Sequence, residues 1–192
     1  VCPMGYAPYD LEPAEADLSK QDFARMVMLE DMKRLALMPG SRYLLRPGSA
    51  GNTPKDQALQ NVSTVIGKVL EGASGVPLLV VNMPGEGTQV GNTFEDIAAI
   101  MHGANSNQVG FCLDTSSAFA MGYDIVNDLD GVLDKIDATI GLDKLLAIHL
   151  NDIKEDLGSH AARHARIGEG KIGFEALKAL TVHPKLKGLP FY

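Results

Sequence analysis

Phe111-Cys-Leu-Asp-Thr-Ser-Ser-Ala-Phe-Ala-Met-Gly-Tyr-Asp124 is an apolar run that stops at a carboxylate, and Ile148-His-Leu-Asn-Asp152 repeats the device with an imidazole. Two such strands side by side in a parallel sheet bring Asp114 and His149 to one rim, where α/β proteins place their chemistry. A third segment, Ile167-Gly-Glu-Gly-Lys-Ile-Gly173, punctuates the chain beyond them. Working outward, strands are expected at Arg42–Leu45, Pro77–Val81, Val109–Asp114 and Leu145–Leu150. Helices are expected at Ser19–Leu37, Pro54–Glu71, Phe94–Met101, Leu129–Thr139 and Phe174–Leu180. Strand-like and helix-like runs alternate from end to end, the pattern of a parallel sheet covered by helices. The recurring strand-helix unit fits a (β/α)8 barrel better than a solenoid. No linker divides the chain, so one domain spans residues 1–192.

Start signals are clearest for two helices. Thr53-Pro54-Lys55-Asp56 offers a capping hydroxyl, a Pro and an early acid, and Asn92-Thr93-Phe94-Glu95-Asp96 does the same without the Pro. In the first helix, Phe23, Met26, Val27, Leu29 and Met32 are expected to form the buried face.

The 192 residues are 45% hydrophobic and 21% charged, the composition of one domain able to bury a core. A net charge of -7 gives no overall pull toward phosphate, although a local basic cleft remains compatible with it. Two cysteines make no disulfide framework, and Cys112 lies in an apolar run where a thiol acts as a small hydrophobe. A reducing intracellular compartment, an organelle included, is the default reading, and no apolar run is long enough to span a membrane. The chain begins with Val1 instead of Met, which is expected of a processed form or a piece of something longer.

Together these segments resemble the endonuclease IV family, zinc-dependent nucleases that cut DNA beside abasic sites. The resemblance implies a TIM barrel of the endonuclease IV and xylose isomerase-like type, α/β in class, incomplete in this chain: the family's first two strands and its last are not matched. It also implies a trinuclear zinc cluster on nine side chains. Asp114, His149 and His164 stand at ligand positions that the family also fills with ligands. At five others the family's ligand is replaced, by Tyr6 in Tyr6-Ala-Pro-Tyr9, Arg46 in Leu45-Arg-Pro-Gly-Ser49, Val81, Ser117 and Ala162. The ninth position lies beyond Tyr192. Zinc needs three or four convergent donors. Valine cannot bridge two metals, and an always-protonated Arg repels them.

The resemblance therefore implies a protein that has lost its catalytic cluster, holds no cofactor beyond one weakly bound zinc at Asp114 and His149, and serves as a structural subunit of a larger assembly. Unpaired strand edges in the matched segment point to protein partners. Two rivals stay open: a residual zinc-dependent AP endonuclease using Asp114, His149 and His164, and a sugar-isomerase-like barrel. Asp114 is alternatively a helix cap, or a partner of Arg46, which in turn pairs with Asp114 or Glu86 in place of metal charge. His149 is alternatively a hydrogen-bonded histidine at a strand end. Gly168-Glu-Gly170 with Gly173 reads as a tight loop more than a phosphate cradle, since no Lys-Ser/Thr follows. Lys154, His160, Arg163 and Arg166 form a basic cluster. Nucleic-acid contact, with DNA as in the family or with RNA in a ribonucleoprotein, falls to Tyr9, Lys154, Arg163 and Arg166. Asp10 stands where the family presents an apolar wedge, which disfavours insertion into DNA.

Overall fold

A computed structural model describes residues 2–73 and 75–192. Its frame is a five-stranded, wholly parallel sheet in chain order: β1 (Met4–Tyr6), β2 (Arg42–Leu45), β3 (Leu78–Val81), β4 (Val109–Asp114) and β5 (Leu145–His149). Between them run α1 (Leu18–Leu35), α2 (Lys55–Gly72), α3 (Phe94–Ala104), α4 (Thr115–Ala120) and α5 (Leu129–Thr139). Beyond β5 a two-stranded antiparallel ribbon, β6 (Asp152–Ile153) with β7 (His164–Ala165), precedes α6 (Gly173–Val182). At the far side of β5, Phe191 bridges to Ile148 in parallel and Tyr192 N donates to the Ile148 carbonyl, which continues the sheet by one more strand position.

Strand alternation divides the core into two layers. Tyr43, Leu45, Leu78, Val80, Phe111 and Leu113 face the helices in the main cluster. Leu44, Leu79, Val81, Cys112 and Ala147 form a separate inner cluster on the concave side. Both faces are covered, so the strands read as continuous apolar runs. A register shift at Phe111/Cys112 leaves Leu146 bulged, and Arg42 Nη1 donates to its carbonyl at 2.7 Å. Burial pushes the Cys112 thiol up, in keeping with its role as a small apolar filler.

Four expected strands and five expected helices are present, with three informative departures. β1 is too short, at three residues, to register as an apolar run, and α4 follows β4 without a break in apolarity. Thr53 does not cap α2: Pro54 takes that position without a side-chain cap, and Thr53 Oγ1 instead accepts from Ala16 N at 3.0 Å. The expected buried face of α1 is corrected in part. Met32 is fully buried and Val27 and Leu29 pack partly buried against the core, but Ala24, Met28 and Leu35 complete the inward side while Phe23 and Met26 are 57% and 56% exposed. On that side the Tyr43 hydroxyl from β2 donates to Asp31 at 3.0 Å, a contact consistent with this orientation. Thr93 caps α3 as expected, accepting from Asp96 N.

Phe94 locks α3 to the sheet. It is fully buried, stacks on Tyr123 at 3.9 Å between centroids and meets Phe111 edge-on at 6.0 Å. Phe94→Ala is therefore expected to destabilise the protein by about 3–5 kcal/mol, read as a lower urea midpoint with an unchanged slope.

Candidate functional site at the mouth of the half-barrel

All five parallel strands end on the same side, and their last residues converge there. Asp114, at the end of β4, is completely buried and caps α4, accepting from Ser117 N at 2.8 Å and the Ser116 hydroxyl at 2.6 Å on Oδ1. Its other oxygen accepts from Asn151 Nδ2 at 2.8 Å and faces His149 Nδ1 at 3.8 Å, an ion-pair separation longer than a hydrogen bond. The Asn82 side chain grips the Asp114 backbone from β3, with Oδ1 accepting from its N–H at 2.7 Å and Nδ2 donating to its carbonyl at 3.1 Å. Burial works to raise the Asp114 carboxyl. His149, the Ser116 hydroxyl, the Ser117 amide and the charge of Arg46 outweigh it and hold the group well below the usual carboxylate range. The helix-cap role is thus realised in full.

Across the mouth, Arg46 makes a different arrangement from the expected ion pair. No carboxylate, neither Asp114 nor Glu86, lies within ion-pair distance of its guanidinium among the described residues. Instead Nε donates to the Tyr6 hydroxyl at 2.9 Å, and the guanidinium carbon lies 4.7 Å from the Tyr9 ring centroid and 5.6 Å from that of Tyr6. Tyr6 and Tyr9 stack at 5.5 Å, and Tyr6 meets the His149 ring at the same distance. Burial pushes the Tyr6 phenol up despite the adjacent cation, so it stays protonated. The physical reason for the correction is reach: the Asp114 oxygens are already taken by α4 and Asn151, and Glu86 is exposed in its loop.

A cleft of about 490 Å³ opens beside this group, lined by Tyr9, Arg46, Pro84, Glu86, Gln89, Ser117, Lys154, Ala162, Arg163 and His164. Arg46, Ser117 and Ala162, three positions at which the resemblance implies a replaced ligand, therefore share one cavity with His164, while Val81 is sealed in the inner core layer. Of the basic cluster, Lys154 and Arg163 reach the cleft; His160 and Arg166 are not among its lining residues. Arg163 is paired with Glu155, leaving Lys154 without an ion pair among the described residues.

The donor set does not fit the three-zinc cluster that the resemblance implies. Asp114 spends its oxygens on Ser116, Ser117 and Asn151, Arg46 brings a fixed positive charge to the mouth, and Tyr6 is a protonated phenol. Among the described residues no three His, Cys, Asp or Glu side chains gather as ligands.

Sequence reasoning missed Asp152. Its buried carboxylate accepts from five backbone amides: Gly168 N at 2.9 Å and Gly170 N at 3.0 Å on Oδ2, and Ile153 N at 2.9 Å, Ile172 N at 3.1 Å and Gly173 N at 3.3 Å on Oδ1. The glycine-rich loop is a nest, and a side chain of the same chain fills it. This confirms the tight-loop reading over a phosphate cradle. Gly168 adopts φ +85°, and a Cβ on Gly170 would lie 2.3 Å from Asp152 Oδ1. The signal was present, in an Asp at a strand end followed by a segment with three glycines.

This chain is similar to a set of known proteins. Residues 2–189 match the family model described as a xylose isomerase-like TIM barrel. A probable endonuclease 4 of Alkaliphilus oremlandii is 42% identical over 190 residues, covering 98% of this chain and 68% of that protein. The crystal structure of endonuclease IV from Thermus thermophilus superposes with a TM-score of 0.82 at 32% identity, over 98% of this chain and 66% of that one. A D-tagatose 3-epimerase-like protein shares the fold at 20% identity, with a TM-score of 0.78 over 100% of this chain and 69% of its own. The chain thus spans about two thirds of the length of each.

Asp152 yields a prediction with a definite sign in pH. Burial opposes ionisation of its carboxyl, but the amides of Ile153, Gly170, Gly173 and Gly168 lower its pKa below the ordinary value. Asp114 is depressed as well. Depressed carboxylates contribute stability that is present above the unfolded-state value of about 3.9 and lost as pH falls through the folded values. Thermal unfolding midpoints should hold steady above about pH 5 and drop below about pH 4. Asp152→Asn sets an amide donor against amide donors, so it should cost on the order of 3 kcal/mol at neutral pH and flatten the acid limb of that profile.

Proposed function

The chain belongs to the endonuclease IV family, and from that premise we propose that it is a member without the family's metal chemistry, a non-catalytic barrel that acts as a subunit within a larger assembly. The observation that carries the reading is Arg46, a cation bonded to Tyr6 and seated against Tyr9 at the strand ends, where metal ligands would have to converge. Hydrolysis of a phosphodiester at neutral pH needs an activated water and a counter-charge for the leaving oxygen, which metal ions supply in sites of this kind. Neither Asp114, buried and fully engaged, nor Tyr6, held protonated, offers a base in place of metal-bound hydroxide.

A second reading, a residual zinc-dependent AP endonuclease, has one observation in its favour: Asp114 and His149 approach to 3.8 Å at the edge of the same mouth. The two readings part on a single assay. A duplex carrying a stable abasic analogue, incubated with the protein and added zinc, should show no incision above background, and elemental analysis should find far less than three zinc ions per chain. Zinc-dependent incision that is lost in both Asp114→Ala and the surface variant His164→Ala would establish the second reading instead.

A further inference from the structure

The mouth is one end of the sheet. At the other end, where the strands begin, a cavity of about 460 Å³ lies between α3 and α5. Its walls come from the second half of α3, the last residues of α5 and the segments that lead from those helices into β4 and β5. Ala98, Met101, Val109 and Ile140 form an apolar floor, and Met101 and Ile140 are only partly buried against the core although each is a large hydrophobe. Concave apolar surface of this kind favours a group that displaces water from it, and the volume falls in the range of small-molecule sites.

Donors stand around that floor. Lys144 lines the cavity from the turn before β5, and its only ion-pair neighbour among the described residues is the adjacent Asp143, at a separation of 3.9 Å that exceeds a hydrogen bond. His102, in the last turn of α3, is an exposed imidazole with no side-chain hydrogen bond among the described residues. The Ser106 oxygen accepts from Gln108 N at 3.2 Å, while its O–H has no acceptor among the described residues. Two helices end beside the cavity, and the carbonyls of a helix C-terminus hold cations near them. Among the described residues no carboxylate lines the cavity, on a chain whose net charge is -7.

We propose that this cavity binds a small amphipathic carboxylate. Its apolar body lies on Met101, Val109 and Ile140, and its oxygens take a charge-assisted hydrogen bond from Lys144, with Ser106 and His102 as further donors. The two halves of the site select together: a neutral ligand leaves the ammonium charge unused, and a bare inorganic anion leaves the apolar floor wet. The site lies at the opposite end of the strands from Asp114 and Arg46, so it stands whether or not the metal-free reading of the mouth holds.

The test is a chemical-shift titration of the isotope-labelled chain with phenylacetate at neutral pH and low salt, beside its uncharged isostere phenylacetamide and beside acetate, which lacks the apolar body. Phenylacetate should bind saturably, with amide shifts concentrated in residues 98–109 and 139–145. Phenylacetamide and acetate should each bind about tenfold or more weakly. Lys144→Gln, at an exposed side chain, should weaken phenylacetate binding by about tenfold and His102→Gln by severalfold, whereas Lys144→Arg and the remote control Lys20→Gln on α1 should keep it. Absence of saturable binding, equal affinity for phenylacetamide, wild-type affinity in Lys144→Gln, or shifts centred on the mouth instead of the two helix ends would overturn the proposal. None of these readouts involves zinc or incision, so failure here is distinct from failure of the metal-free reading.

Discussion

Asp114 is a carboxylate with no solvent exposure at the end of β4, and an ion so placed is tolerated only when its oxygens are fully hydrogen-bonded. Meeting that demand organises the mouth of the sheet. Ser116 and Ser117 satisfy one oxygen and thereby start α4 directly from the strand, while Asn151 satisfies the other and brings the segment after β5 alongside. Asn82 secures the strand end from β3, and the Thr115 hydroxyl binds the Asn151 backbone in both directions, donating to its carbonyl at 2.7 Å and accepting from its N–H at 2.8 Å. Asp114 is in this way a structural hub.

A second carboxylate does the same work one loop later. Asp152 draws five amides, four of them from the segment that follows β7, around itself and so anchors the start of α6. Between the two hubs lies the ribbon of β6 and β7, which carries Lys154, Arg163 and His164 to the cleft. The positive groups are placed by two buried carboxylates that stay ionised because hydrogen bonds satisfy their oxygens, and the Asp114 charge still acts on Arg46.

Much of this is legible in the sequence. The alternation of apolar runs with helical segments, the Thr93 cap and the membership implied by the strand-end motifs all follow from local patterns, because periodicity and capping are properties of a few consecutive residues. What failed were statements about facing. Part of the buried side of α1 was misplaced: Met32 is buried and Val27 and Leu29 pack on the core, but Phe23 and Met26 face outward, because methionine and phenylalanine satisfy more than one stripe on a helix and packing on the sheet selects among them.

The partner of Arg46 belongs to the same class of question. From sequence, a cation near Asp114 and Glu86 invites an ion pair, yet hydrogen-bonding capacity is finite, and the Asp114 oxygens were spent on nearer neighbours. The five-amide cradle around Asp152 likewise joins residues that only folding brings together. By itself, then, the chain's sequence determined a parallel α/β barrel fold, since the alternation of strand and helix and the residues at strand ends are local facts. Tertiary structure alone decided that the mouth holds a guanidinium without an ion pair among the described residues beside one saturated carboxylate, with a second carboxylate in the loop beyond it, because which donor meets which acceptor depends on distances that no local pattern encodes.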